Sequence, residues 1–345
     1  MFLDDWFLEN KRSFPWRDDP TPYRVWISEV MLQQTRASVV IAYFERWMAQ
    51  FPTIVSLGNA HIDQVIKAWE GLGYYSRARN LHAAAQMIIR DHGGELPSSK
   101  TELAALPGLG PYTVGAILSF GFQQRAVAID GNVARVVARY AWIEEEISKS
   151  SAKRKIESAV EALLSLEQPW VSMEALIELG ATICTSTPDC GRCPLQSKCV
   201  ANARGMPTIL PIKAAAPKIE KIARGVAIIE SNGHVLIRKN GEGLMGDLWE
   251  FPYYDKIISL FEMRKKLTHL LGKQPIFLQR LEKIEHSFTR FIAQLFPYKF
   301  QINEREPVEG FCWVATHELE RLPFSAGHRK LVKQLYQFRS GLVNL

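Results

Sequence analysis

The chain has no hydrophobic run long enough to span a bilayer, and its first residues, Met1-Phe2-Leu3-Asp4-Asp5-Trp6, carry acids where a secretory leader carries bases. Both absences lead to the expectation of a soluble, intracellular protein with no membrane partner. An acidic excess is missing as well: 42 Lys and Arg face 36 Asp and Glu, a formal charge of +6 that suits a polyanionic partner. There is no tandem repeat and no low-complexity tract, so the 47% of apolar residues is available for ordinary globular cores. Cysteine is scarce, five residues in 345. That scarcity makes their placement informative, because four of the five are crowded into one short loop: Cys184, Cys190, Cys193 and Cys199.

At this length about two domains are expected. From Tyr23 to about Val200 apolar residues recur at three- and four-residue spacing, punctuated by Pro52, Gly71, Gly93, Pro107 and Gly131. The pattern predicts a bundle of about ten short helices. Residues 204–224, with Pro207, Pro211, Pro217 and the run Ala214-Ala215-Ala216, have no period and read as a linker between a helical region, 1–203, and a second domain, 225–345. In the second domain the period becomes extended. Gly225 to Glu230, Asn232-Gly233 and His234 to Arg238 predict a strand, a tight turn and a strand. Further strand-like runs at 277–284 and 288–302, with helical patterns at 259–271 and 327–338, make it mixed α+β.

Four thiols in one short loop can converge on a soft metal or an iron-sulfur cube, or pair as two crowded disulfides. A reducing interior disfavours the disulfides. Cys312, alone beside Trp313 and Val314, reads as a small buried hydrophobe.

Upstream, Leu106-Pro107-Gly108-Leu109-Gly110-Pro111-Tyr112-Thr113 places Gly108 and Gly110 in a tight turn, with a proline in the first turn of the next helix. Such a turn is either a plain corner between helices or a row of bare amides at a helix start, suited to a phosphate oxygen. Two carboxylates stand out in the same region. Glu29 has Val25, Trp26, Leu32 and Gln33 as helical neighbours, a largely apolar face on which desolvation raises a carboxyl pKa and keeps a proton available near neutrality. Asp130 precedes Gly131-Asn132-Val133 and is placed to cap a helix, where backbone N–H groups keep a carboxylate ionised. One protonated and one ionised carboxyl are what cleavage of a glycosidic bond requires.

Together these residues resemble the helix-hairpin-helix DNA glycosylase superfamily, and specifically the adenine DNA glycosylases of the MutY type. The resemblance rests on Ser28-Glu29-Val30-Met31-Leu32-Gln33-Gln34-Thr35, on Gly71-Leu72-Gly73-Tyr74-Tyr75-Ser76-Arg77, on the hairpin about 102–121, on Ile129-Asp130-Gly131-Asn132-Val133, and on the cysteine loop 184–199. It implies an all-α helix-hairpin-helix glycosylase domain with a 4Fe-4S cluster loop and a C-terminal α+β Nudix-like domain. It implies removal of adenine mispaired with 8-oxoguanine or guanine in double-stranded DNA, in the cytoplasm and associated with a bacterial nucleoid; a two-domain clamp around DNA needs no second subunit, so a monomer is expected. By motif, Glu29 would protonate ring nitrogen 7 of the extruded adenine and Asp130 would stabilise the sugar cation. Tyr112 would stand where related glycosylase/lyases carry a nucleophilic lysine. Gln34 and Tyr74 would enter the duplex, and Trp16, Arg17 and Glu174 would line the adenine pocket. Cys184, Cys190, Cys193 and Cys199 would hold the cluster, with Arg192 and Lys198 turned toward phosphate.

The chain departs from the family twice. Five residues separate the first two cysteines where the family has six. In the second domain the family's Phe-Ser-His turn, which reads 8-oxoguanine, is replaced by Phe288-Thr289-Arg290, exchanging an imidazole for a permanent charge. The glutamate-rich helix of true Nudix hydrolases is also missing, so pyrophosphatase activity is not expected. The competing readings are an endonuclease III-like glycosylase/lyase for oxidised pyrimidines and a non-catalytic iron-sulfur DNA-binding protein.

Overall fold

The computed structural model describes residues 2–215, 218–241, 243, 245–257, 259–288 and 290–342, with the backbone alone for residue 2 and residues 337–342. The chain divides into two compact units, Met1–Asn59 with Asn80–Ala216, and Ala60–Arg79 with Pro217–Leu345. Among the described residues no helix is long and apolar enough to cross a membrane.

Helices come first in the chain: α1 (Phe2–Asn10), α2 (Pro15–Asp18), α3 (Pro22–Leu32), α4 (Ala37–Gln50), α5 (Ile54–Gly58), α6 (Ile62–Ala68), α7 (Ser76–His92), α8 (Lys100–Ala105), α9 (Pro111–Ala116), α10 (Gly131–Tyr140), α11 (Ser150–Leu163), α12 (Pro169–Thr182) and α13 (Val200–Ala203). In the first unit α3 is the central element. Every residue from Val25 to Met31 is buried, Ser28 and Glu29 included, because α4, α9 and the π-helical turn Ile117–Gly121 all pack on it. Pro22 occupies its first turn and the Thr21 hydroxyl accepts the Arg24 N–H at 3.4 Å, so its start is set by a proline and a cap. α1 and α10 both pack on α12, an apolar helix whose Met173, Ala175, Leu176 and Leu179 are fully buried.

The second unit is built on strands β1 (Glu220–Ser231), β2 (His234–Lys239), β3 (Trp249–Glu250), β4 (Tyr253–Tyr254), β5 (Ile276–Arg280), β6 (Ile284–Phe288), β7 (Phe291–Gln301) and β8 (Cys312–Ala315), with helices α14 (Leu260–Leu271) and α15 (Ala326–Leu342). β1 runs parallel to β7 and antiparallel to β2. Val226 and Ile228 pack against Leu331, Val332 and Leu335 of α15, whereas Ala227 and Ile229 pack against Met263, Leu267 and Leu271 of α14. The unbroken apolar run of β1 thus follows from burial on both faces.

Two expectations shift. β1 opens at Glu220, five residues ahead of Gly225 and inside the expected linker, because residues 220–224 pair with Phe291–Leu295, a partner no local pattern shows. The strand-like run 277–284 breaks between β5 and β6. There Pro297 of β7 accepts the Leu281 N–H at 3.0 Å but has no N–H to return, and the ladder stops. The segment Ala60–Arg79 is tied into this unit by Glu70, which accepts from Arg329 Nε at 2.7 Å and from Phe324 N at 3.0 Å, and by Arg79 Nη1, which donates to Gly246 O at 2.8 Å.

Candidate active site

Within the first unit a cleft of about 910 Å³ is lined by Glu29, Tyr112, Asp130, Trp16, Arg17, Gln34 and Glu174. Residues far apart in the chain and singled out by sequence therefore meet at one place. Glu29 projects from the buried centre of α3, and its Oε2 accepts the Tyr112 hydroxyl at 2.6 Å. Burial raises its carboxyl to about 7 against the bond from Tyr112, with Asp130 and Glu174 adding repulsion and Arg17 opposing it. Burial likewise pushes the Tyr112 phenol well above its ordinary range, so it remains a neutral donor.

Asp130 caps α10. Its Oδ1 accepts Asn132 N at 2.9 Å and Val133 N at 2.8 Å, and its Oδ2 accepts Asn132 Nδ2 at 2.7 Å. The cap expected from the sequence is present, and burial outweighs its donors and leaves the carboxyl raised. The donors nevertheless distinguish it from Glu29. Three N–H groups are aimed at the Asp130 anion, whereas a single phenol meets Glu29.

The backbone behind Asp130 is tightly packed. A Cβ at Gly180 of α12 would stand 2.6 Å from Asn132 Cβ and 2.9 Å from Asn132 O. Arg135 closes the arrangement, donating to Asn132 Oδ1 at 2.8 Å, Gly180 O at 2.7 Å and Cys184 O at 2.8 Å. Gly180→Ala is expected to lower unfolding stability by about 1–3 kcal/mol, read from urea midpoints at constant slope.

Trp16 stacks on Phe14 at 4.8 Å and forms part of the cleft wall. Arg17 Nε lies 3.0 Å from Glu174 Oε2, and burial raises the Glu174 carboxyl despite that cation. Sequence reasoning missed Arg12 and Glu178, which also line the cleft. Glu178 is fully buried, and the bonds from Arg12 and Arg17 overcome the upward push of burial and hold its carboxyl below the ordinary range. The available signal was a pair of acids one helical turn apart, Glu174 and Glu178, on an otherwise apolar α12.

The hairpin glycines do not line this cleft. Gly108 needs its glycine twice over, with φ +78° and a Cβ position 2.6 Å from Asn80 Cβ. Gly110 has φ −83° and open space around its Cβ position, so packing within the protein does not account for it. Gln34 and Tyr74 both adopt left-handed backbone, at φ 57° and 48°, a conformation costly outside glycine and common where function imposes it. In the second unit the turn bearing Tyr74 is braced by Arg77, whose Nη2 donates to Leu72 O and Gly73 O at 3.1 Å. Phe288 stacks on His286 at 5.4 Å where β6 turns into β7, and Arg290 Nη2 lies 3.3 Å from Glu220. Thr289 lies outside the described residues.

All five cysteines are free thiols. Cys184, Cys190, Cys193 and Cys199 line one small chamber with Ile183, Pro188 and Pro207. Burial, with a smaller push from the neighbouring thiols, raises Cys193 to about 11 against a backbone bond from Leu195. Among the described residues, no three His, Cys, Asp or Glu side chains are close enough to hold one metal ion. A single tetrahedral zinc, at about 2.3 Å from each sulfur, needs sulfurs about 3.8 Å apart. Four cysteine thiols around one chamber are a donor set that iron-sulfur clusters and structural zinc sites share.

Residues 27–162 match the family described as HhH-GPD superfamily base excision DNA repair protein, and residues 225–334 match the NUDIX domain. The adenine DNA glycosylase of Rattus norvegicus is 30% identical over 402 residues, covering 98% of this chain and 78% of that protein. That of Buchnera aphidicola subsp. Schizaphis graminum is 30% identical over 299 residues, covering 86% and 85%. A solved thermostable thymine-DNA glycosylase aligns with TM-score 0.54 at 25% identity over 59% of this chain and 94% of that one.

Proposed function

The chain belongs to the adenine DNA glycosylase family, hydrolytic N-glycosylases of base excision repair that act on DNA, and from this we propose that it excises adenine opposite 8-oxoguanine or guanine with Glu29 as general acid and Asp130 as the stabilising anion. The observation that carries the reading is the pairing in one cleft of a carboxyl raised to about 7 with a carboxylate held by three donors. Near neutrality a large share of Glu29 keeps its proton. The extruded adenine takes that proton at nitrogen 7, the bond from nitrogen 9 to the sugar breaks with its electrons passing to the base, and the sugar cation forms beside Asp130. Water then adds to the sugar cation, its spare proton passing to the Glu29 carboxylate, and leaves an abasic site. Tyr112 holds Glu29 in place and has no amine with which to form a Schiff base, so strand cleavage by a lyase step is not expected.

Arg17 and Glu174 suit the Watson–Crick edge of adenine, which offers an acceptor at nitrogen 1 beside a donor at the exocyclic amine. Gln34 and Tyr74, held in strained backbone, are the wedges that occupy the vacated duplex, and the Gly108 and Gly110 turn meets phosphate. Cys184, Cys190, Cys193 and Cys199 would hold a 4Fe-4S cluster, which would supply a rigid clasp for the loop bearing Arg192 and Lys198. Phe288, Thr289 and Arg290 are assigned by motif to reading the lesion. Arg290 exchanges its exposed partner Glu220 for a DNA phosphate.

The reading is tested on duplexes carrying 8-oxoguanine:A, G:A, T:A and thymine glycol:A, with and without alkali. Alkali-dependent cleavage of the adenine strand, fastest opposite 8-oxoguanine, is the expected result; alkali-independent cleavage at thymine glycol would overturn it. Arg290→Ala is expected to weaken binding of both mispairs alike and to reduce the salt slope by about one, as loss of one phosphate contact requires.

A further inference from the structure

Glu178 takes no part in the proton transfer described above, yet its side chain is fully buried beside the cleft. Its Oε1 accepts Arg12 Nε at 2.5 Å and Arg12 N at 3.4 Å, and its Oε2 accepts Arg12 Nη2 at 3.3 Å and Arg17 Nη1 at 3.0 Å. Stability alone does not account for a carboxylate here. Buried ion pairs commonly hold no advantage over packed apolar side chains, and the neighbouring buried positions of α12 are apolar.

What the arrangement does achieve is to fix Arg17. Its Nε is bound by Glu174 at 3.0 Å, its Nη1 by Glu178 and by Arg12 O, both at 3.0 Å, and its guanidinium lies over the Phe14 ring at 5.2 Å. These contacts restrain the planar fork, and among the described residues Nη2 is the donor edge left for a ligand. Without Glu178 the same cation would be drawn further into a cleft that also holds Glu29, Asp130 and Glu174, blurring the order in which donor and acceptor are presented.

We propose that Glu178 is a positioning residue for base selection, holding Arg17 against Glu174 so that the pair offers one donor and one acceptor in fixed order to the edge of the extruded purine. This rests on the adenine pocket assigned under the proposed function. Hypoxanthine is the discriminating probe, because it keeps nitrogens 7 and 9 and the sugar bond of adenine but presents a carbonyl and an N–H where adenine presents an amine and a bare nitrogen. A site built to bond one order rejects the other strongly, since its polar groups are left unpaired.

The test compares kcat/KM for 8-oxoguanine:A and 8-oxoguanine:hypoxanthine duplexes in the full-length wild type and in Glu178→Gln, with affinity for an abasic-analogue duplex as the measure of intact DNA binding. Glu178→Gln is expected to lower the adenine-to-hypoxanthine ratio about tenfold or more while that affinity stays within about twofold. A folded Glu178→Gln with the wild-type ratio would overturn the inference. Should that variant fail to fold, Glu178→Asp decides: the charge is kept but withdrawn by one methylene, and a ratio lowered about threefold is expected, whereas a folded Asp variant at the wild-type ratio overturns it. A wild type that releases neither base would instead overturn the proposed function.

Discussion

Glu29→Gln is expected to lower the single-turnover excision rate by about 10²–10⁴-fold, the range for loss of a general acid, while leaving affinity for an abasic-analogue duplex near wild type. The same substitution is expected to stabilise the fold above neutrality. Burial raises the Glu29 carboxyl from 4.5 to about 7, so the protonated form is the one the folded state prefers. Stability associated with this group is whole below about pH 4.5 and is lost as pH rises through about 7. At pH 8 the buried charge costs up to about 3 kcal/mol, at 1.36 kcal/mol per unit, which an amide avoids. Melting curves at pH 5 and pH 8 check this: the gap between variant and wild type should open at the higher pH. Wild-type excision should fall with rising pH above about 7 as the acid loses its proton. Retained excision in the variant would remove Glu29 as the acid, and a pH-independent stability gap would show that its carboxyl is not held protonated.

The features that local chemistry sets were legible in the sequence. Asn232-Gly233 makes the tight turn because φ values of 45° and 75° suit those residues, and Asp130 caps α10 because Asp before Gly-Asn-Val has N–H groups within reach. Glu29 on an apolar helical face becomes Glu29 in a buried helix, with the titration that follows. What depended on distant partners was hidden. The first residues of β1 have no strand pattern of their own and are ordered by β7. Glu178 showed in the sequence only as an acid one turn from Glu174, because its partners Arg12 and Arg17 lie more than 160 positions away. The upward shift of Asp130 was missed for a related reason: the sequence shows the cap donors beside it but not the walls of the cleft that desolvate it.

The second large effect is expected at Asp130. Asp130→Asn removes the negative charge that on the proposed mechanism faces the sugar, while keeping a good helix cap, since Asn accepts the same two backbone N–H groups. Its amide has one acceptor where the carboxylate had two, so the bond from Asn132 Nδ2 is lost, a change of about 1 kcal/mol. Excision is expected to fall by about 10²–10³-fold or more, as when one preorganised electrostatic stabiliser is removed. The two predictions differ in how they combine. On the proposed mechanism Glu29 makes the base a better leaving group and Asp130 stabilises what the base leaves behind, so both act on one bond-breaking step. The double variant should lose less than the product of the single losses, since removing either already disables that step. Single-turnover rates for the four proteins close the cycle. A fully multiplicative loss would mean that Glu29 and Asp130 lower the barrier independently, and the coupled paired-carboxyl mechanism would then have to be abandoned for one in which each acts without the other.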